Sequence, residues 1–314
     1  MNISVILCTF NRSQSLAKAL ESLAKSSLGG EVEWEVLVID NNSTDGTRQV
    51  AETFCQQYPT HFRYVFEPNA GKSHALNRGV LEAHGDVLAF TDDDVTVEPT
   101  WIQNLTANLN NGSWAGAGGR TLPEQPFQAP SWISFRRRHA LAPLALFDPA
   151  LAAGPLDEAP YGVNMAFQRK AFERYGGFRT DLGPGLGSGS PQKSEDSEFG
   201  DRLLASGERL RYEPFALVYH SVPAGRLKKS YFLAWWFDKA RSDRLACGTS
   251  PKTSWTVAGI PLRLFGRLGR WTLNWLITMD PSLRFEYKIN VWANCGEIVE
   301  CYRQSRLGTK RAKG

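Results

Sequence analysis

In the first 110 residues, short apolar runs alternate with longer stretches whose apolar residues recur at helical spacing. The runs are "ISVILCT" (Ile3 to Thr9), "WEVLVID" (Trp34 to Asp40), "FRYVFE" and "GDVLAFTDDD". Between them lie "SQSLAKALESLAKS", "TRQVAETFCQQY" and "KSHALNRGVLEA", and "PTWIQNLTANL" follows the last. Strand patterns separated by helical ones predict stacked β–α units and an α/β, doubly wound, mostly parallel sheet with flanking helices. Runs that are apolar without alternation suit strands covered on both faces. Leu16, Leu20 and Leu23 mark the inner face of the first helix, with Ser13 as its expected N-cap.

Sheets of this kind bind ligands beyond the carboxyl ends of their strands. The polar residues of this segment gather there: Thr9, Phe10, Asn11 and Arg12 after the first strand, Asp40 after the second, Gly71 and Lys72 after the third, and Asp92, Asp93 and Asp94 after the fourth. Three adjacent carboxylates at the end of a buried strand repel one another and lose hydration. A divalent cation with oxygen ligands, Mn²⁺ or Mg²⁺, would neutralise them; a solvated acidic turn is the alternative. If the segment is extended, Asp92 and Asp94 face one side and Asp93 the other.

After Gly119 the pattern changes. Residues 123–160 are rich in Pro and Ala and carry the basic knot "RRRH" (Arg136 to His139), which reads as an irregular excursion. "APYGVNMAFQRKAFERYGGF" predicts a strand, a short helix and a glycine turn. "EDSEFGDRLLASG" is a helix with an acidic start, and "LRYEPFALVYH" is a strand ending at His220. "GPGLGSG" has dinucleotide-loop spacing without the strand–turn–helix context that signature needs. A loop that orders over a bound ligand suits its glycines better.

Seven stretches, "SVILCTFNR", "VLVIDNNSTDGT", "NAGKSHALNRGV", "FTDDDV", "NMAFQRKAFERYGGF", "EDSEFGDRLL" and "YEPFALVYH", occur in the order and spacing of the family 2 glycosyltransferases of the GT-A fold, which the chain resembles from Ser4 to His220. The resemblance implies an inverting, metal-dependent transfer of a sugar from a nucleoside diphosphate donor, a UDP-sugar, to a hydroxyl. It places Thr9, Asn11, Arg12, Asp40, Lys72, Asp92 and Asp93 at the nucleotide, with Asp40 on the uracil ring and Asp92 on the ribose. Asp94 and His220 become ligands of Mn²⁺ or Mg²⁺, with Asp93 an alternative to Asp94. Asp196 is implied as the base that deprotonates the acceptor, with Glu195 beside it as the fallback; helix capping by this acidic start is the competing role. The QxxRW signature of processive synthases is missing, because Arg270-Trp271 follows Arg267 rather than Gln. A single-addition enzyme follows from that. Two other classes compete: a binding module that holds nucleotide without transferring, and a sugar nucleotidyltransferase. The latter expects a "GxGxR" loop where this chain has "TFNR".

Charge divides the chain. Residues 1–220 carry 19 Lys and Arg against 26 Asp and Glu, whereas residues 221–314 carry 17 against 6 and six of the ten tryptophans. The expected organisation is therefore a catalytic domain over 1–220 and a basic, Trp-rich helical C-terminal region over 221–314. Within 260–279, Arg263, Arg267, Arg270 and Asn274 fall on one helical stripe, and Leu264, Phe265, Leu268, Trp271 and Trp275 on the opposite face. Such a helix either packs its apolar face on the catalytic domain or lies in a membrane interface. The second reading implies a lipid-linked saccharide or glycan as acceptor. No nucleic-acid recognition module accompanies the basic charge. The five cysteines are odd in number and unpaired in spacing, and no signal peptide or transmembrane run is visible. A cytoplasmic protein, peripheral on the inner face of the membrane, is the expectation.

Overall fold

The computed structural model describes residues 2–29, 32–110, 112–134, 141–149, 152–185, 193–248 and 255–311, the last four by their backbone alone. The basic knot Arg136–His139 and residues 186–192 of the glycine-rich loop lie outside the described residues. The chain forms two compact units, each assembled from three segments. One comprises Met1–Pro126, Ala145–Thr180 and Glu195–Ser221, the other Phe127–Leu144, Asp181–Ser194 and Val222–Gly314.

The first unit is built on the predicted alternation: β1 (Ile3–Thr9), α1 (Ser13–Ala24), β2 (Trp34–Asp40), α2 (Thr47–Gln57), β3 (Phe62–Phe66), α3 (Lys72–Glu82) and β4 (Val87–Asp92). A short β5 (Val95–Val97), α4 (Trp101–Thr106), β6 (Gly116–Pro123), β7 (Gly154–Leu156), β8 (Met165–Gln168), α5 (Arg169–Tyr175), α6 (Glu195–Ala205) and β9 (Leu210–His220) complete it. The main sheet runs β3-β2-β1-β4-β8-β6-β9-β5, with β7 beside β9. The four strands from β3 to β4 are parallel; β8 is antiparallel to both its neighbours.

Strand alternation explains the two cores. Val5 and Leu7 of β1, with Val36 and Val38 of β2, point to the face covered by Leu16, Leu20 and Leu23 of α1. Ile6, Leu37 and Ile39 point to the other, where Leu76, Phe90, Phe167 and Phe199 pack. Each fully buried leucine contributes about 2–3 kcal/mol of transfer free energy. Gly79 lets α3 approach β1, since a Cβ there would strike Ile6. Along β9 the pairing with β6 jumps from Glu213 to Leu217. That bulge accommodates Pro214, which has no ladder donor.

Two local expectations need correction. Ser13 is the first residue of α1 rather than its cap, and Arg12 occupies the cap position. The early N–H groups are satisfied instead from the start of α2 and the loop before it: Arg12 N donates to Thr47 Oγ1 at 3.0 Å and Ser13 N to Asp45 Oδ2 at 3.3 Å. The carboxylate triplet is not extended either. β4 ends at Asp92, and the chain turns through Asp93 and Asp94 before β5, so strand alternation does not decide where these side chains point.

The second unit is helical: α7 (Lys229–Ala246), a hairpin of β10 (Thr256–Val257) and β11 (Ile260–Pro261), α8 (Leu262–Ile277) and α9 (Pro281–Arg311). Trp132 packs edge-on against Phe232 and Phe285, with ring centroids 5.4 and 4.5 Å apart. Gly296 lets α9 lie against the backbone of α7 at Phe237. Buried Glu300 receives Arg303 at 2.7 Å and Arg241 at 3.5 Å. On α8 the packed face differs from the expected one. Leu264 is buried, Trp271 stacks on Tyr287 and Trp275 meets Trp292 of α9, but Phe265 is exposed. Arg267, expected on the solvent stripe, turns to α9 because Asn294 and Glu297 offer it acceptors. Among the described residues no helix is long and apolar enough to cross a membrane.

Candidate active site

Strand order 3-2-1-4 places a switch point between β1 and β4, where one connection leads to each side of the sheet. Register brings Cys8 of β1 opposite Asp92 of β4, and Thr9 opposite Asp40 of β2. The polar residues of the four strand ends therefore meet at one edge.

Each carboxylate of the triplet has its own partner. Asp92 Oδ1 accepts from Lys72 Nζ at 2.7 Å, and Lys72 also lies 3.8 Å from Glu195 Oε1. Asp93 is the buried member; its Oδ2 accepts from Thr9 Oγ1 at 2.8 Å. Burial, reinforced by Asp94 and Asp92, pushes its pKa up to about 7 despite the Thr9 hydrogen bond and nearby Arg12. Asp94 Oδ2 accepts from Arg12 Nη1 at 3.0 Å, while its Oδ1 lies 3.4 Å from His220 Nε2. His220 reaches this point because β5 pairs antiparallel with β9, setting Val95 opposite it.

The loops are tied together by side chains. Asn11 takes a positive φ of 51°, a conformation Asn tolerates. Its Oδ1 accepts from Thr44 N at 2.7 Å, and its own N–H donates to Ser43 Oγ at 2.9 Å. Asp40 is buried, with Oδ1 held by Ser43 N and Oδ2 by the Tyr64 hydroxyl, each at 2.9 Å. Burial and that hydrogen bond push the Tyr64 phenol up to about 12. Asn41 fixes the approach to α3: its amide donates to the carbonyls of Glu67 and Asn69, and Gly71 N donates to its Oδ1 at 2.8 Å. That places Lys72 at the start of α3.

At the start of α6, Asp196 accepts from Gly162 N and Ser197 N, both at 2.7 Å. Glu195 is buried, and burial together with Asp196 raises its pKa to about 7, although Lys72 pulls the other way. Burial disfavours the Lys72 ammonium, but Asp92, Glu195 and Asp196 outweigh it and the pKa of Lys72 rises. Ser194, just before the helix, has φ 73°, an unusual value for serine.

The structure thus gathers Thr9, Arg12, Lys72, Asp92, Asp93, Asp94, Glu195 and His220 through direct contacts, and joins Asp196 to them through the field at Lys72. Asn11 and Asp40 sit in the adjoining loops. Sequence reasoning missed Gly162, whose amide holds Asp196, and Tyr64, whose phenol holds Asp40. "YGVN" and "FRYVF" gave no polar signal for either. Cys8 carried no sequence signal beyond the cysteine count; its thiol is pushed up by burial, with Lys72 opposing.

An oxygen and an imidazole nitrogen 3.4 Å apart, Asp94 and His220, are a hard and a borderline donor. That separation would let both side chains reach one divalent ion such as Mn²⁺ or Mg²⁺. Among the described residues no three His, Cys, Asp or Glu side chains are gathered around one point.

A parallel half-sheet with an acidic cluster at its switch point, continued by a mixed half in which β6 and β9 run parallel, is the architecture of GT-A glycosyltransferases. The model of glycosyl transferase family 2 matches residues 4–176. The succinoglycan biosynthesis protein ExoM of Rhizobium meliloti is 28% identical over 236 residues, 75% of this chain and 70% of that protein. The glucosyl-dolichyl phosphate glucuronosyltransferase of Haloferax volcanii is 29% identical over 232 residues, 71% of this chain and 70% of that one. Among solved structures, the Pyrobaculum calidifontis mannosyltransferase PcManGT in complex with GDP-Man and Mn²⁺ superposes with a TM-score of 0.57 at 21% identity, covering 99% of this chain and 75% of that chain. TarS residues 1–349 of S. aureus give 0.53 at 15% identity, covering 97% and 92%. The chain belongs to glycosyltransferase family 2 and is a glycosyltransferase.

Proposed function

We propose that the enzyme transfers one sugar at a time, with inversion, from a nucleoside diphosphate sugar to a hydroxyl acceptor, and that the donor is a UDP-sugar. The observation that carries this reading is the pairing of Asp94 with His220 at the sheet edge that also presents Lys72, Glu195 and Asp196. Asp94 and His220 would hold Mn²⁺ or Mg²⁺; Asp93, tied to Thr9, is the poorer candidate. When bound, the ion supplies Lewis-acid neutralisation of charge on the departing diphosphate. The solved mannosyltransferase with GDP-Man and Mn²⁺ supports a divalent ion here.

The chain's own residues account for the rest. Thr9, Asn11, Arg12, Asp40 and Lys72 line the nucleotide, Asp92 meets the ribose, and Arg12 adds positive charge beside the phosphates. Asp196 takes the acceptor hydroxyl's proton as its oxygen attacks the anomeric carbon and the bond from that carbon to the diphosphate oxygen breaks. The amides of Gly162 and Ser197 aim that carboxylate. Glu195, buried and turned toward Lys72 at 3.8 Å, is the fallback base at the same helix start. The Haloferax relative is named for a glucosyl-dolichyl phosphate, which supports a lipid-linked saccharide as acceptor.

The test combines ligand binding with transfer. Stability against UDP, GDP, dTDP and CMP, each with Mn²⁺ and with EDTA, should rise with one diphosphate only when metal is present. A ligand at a hundred times its Kd adds about 2.7 kcal/mol. Asp196→Asn should keep that shift and lose transfer. Unchanged transfer rejects Asp196 as the base, and no shift with any nucleotide favours a different function.

A further inference from the structure

The outer face of α8 is exposed. Leu262, Phe265, Leu273, Leu276 and Ile277 are 46%, 41%, 58%, 60% and 65% exposed. At 100° per residue these five fall within one arc, opposite the Leu264–Trp271–Trp275 face that α9 covers. Gly266 and Gly269 share the arc, and a Cβ at either would meet nothing within 4 Å. The patch extends at both ends. Leu262 N donates to Trp255 O at 2.9 Å, fixing a tryptophan that is 85% exposed beside the helix start. Met279, 89% exposed, follows the helix end. A contiguous apolar surface of this kind marks an interaction site, whereas isolated exposed side chains do not.

Charge identifies the occupant. Arg263 and Arg270, both exposed, stand 20° apart along the edge of the arc by helical geometry. The nearest acidic group in sequence, Asp280, is engaged in capping α9 through Leu283 N at 2.7 Å. The region from 221 to 314 carries 17 basic residues against 6 acidic ones. A helix with an exposed Leu, Phe and Ile face edged by arginines suits a surface that is apolar below and anionic above, namely anionic lipid headgroups over acyl chains. Sixteen residues span roughly 24 Å, short of the roughly 30 Å hydrocarbon core, so α8 lies along the surface rather than through it.

We infer that α8 docks the enzyme on an anionic bilayer, inserting its Leu262–Phe265–Leu273–Leu276–Ile277 face and Trp255 while Arg263 and Arg270 contact headgroup phosphates. The inference rests on the proposed transferase reading only in placing a lipid-linked acceptor at that surface.

The test is co-sedimentation of the full chain with pure phosphatidylcholine vesicles and with vesicles containing phosphatidylglycerol as the minor lipid. Transfer to a water-soluble acceptor is measured in parallel. The parent should bind the anionic vesicles and release as salt rises. Leu273→Glu with Leu276→Glu should lose at least roughly tenfold in binding. Arg263→Gln with Arg270→Gln should lose roughly fivefold per arginine on anionic vesicles and little on neutral ones. Both variants should melt like the parent and keep soluble transfer. Parent binding unaffected by either pair of changes overturns the assignment to α8, as does absence of binding while soluble transfer persists. Loss of transfer with intact vesicle binding instead overturns the transferase reading. A concentration-dependent dimer abolished by the leucine changes, without vesicle binding, would assign the face to a second copy and also refute the proposal.

Discussion

Glu195→Gln isolates the ionisation of a carboxylate buried in the site. Glu195 is 5% exposed, and its pKa is raised from 4.5 to about 7, first by burial and then by Asp196. A raised acid pKa means that the folded protein holds a proton the unfolded chain has released. Stability is therefore greatest below about 4.5 and falls as pH rises toward about 7, by about 1.4 kcal/mol for each pH unit crossed. Over that interval the cost is about 3 kcal/mol. Glutamine keeps the shape and never ionises, so the variant should escape this loss. Without metal or nucleotide, it should gain stability relative to the parent by about 3 kcal/mol between pH 4.5 and pH 8. That is a Tm shift of about 6–12 °C for a domain of this size. The contribution of Asp93 is common to both proteins and cancels in the difference. Melting curves of both at pH 4.5, 6 and 8 make the comparison. Parallel pH profiles for variant and parent would refute the reasoning, because Glu195 would then not ionise in this range.

Two further outcomes follow from contacts in the site. A Cβ on Gly162 would sit 2.8 Å from Asp196 Oδ2, so Gly162→Ala should displace the proposed base and reduce kcat by roughly 10²-fold. Steady-state kinetics should show an unchanged donor KM, and a kcat within twofold of the parent would argue against the Gly162–Asp196 arrangement. Thr9→Val leaves a buried oxygen of Asp93 without its 2.8 Å donor, which should cost about 1–3 kcal/mol; urea denaturation at pH 8 measures it.

The sheet was legible because β1, β2 and β4 are buried on both faces and thus read as unbroken apolar runs. Their polar ends stood out against that background, which is why the carboxylates and Lys72 could be named from sequence. The partners of those carboxylates were less accessible. Alternation assumes extended backbone, and the turn at Asp93–Asp94 removed that assumption. Whether Lys72 bridges Asp92 and Glu195 depends on how α6 meets the sheet, a long-range arrangement with no local pattern. Gly162 acts through its backbone amide, which every residue except proline carries, so residue type gave no clue. On α8 the helical wheel found two faces but could not weigh them: Asn294 and Glu297 of α9 drew Arg267 inward, and Phe265 turned out to solvent.

The interleaving of the two units has a consequence for how the chain is made. Trp132 belongs to the second unit, yet its packing partner Phe285 emerges from the ribosome roughly 150 residues later, a delay of roughly 8–30 s at about 5–20 residues per second. For that time the sheet unit can finish, since its last segment ends at Ser221, while an indole and the strand of chain around it wait uncovered. The C-terminal helices therefore serve as a late cover for an early segment. A shortened chain stopped near residue 220 would keep the carboxylates of the sheet edge and leave that tryptophan permanently open to chaperones, proteases and other copies of itself.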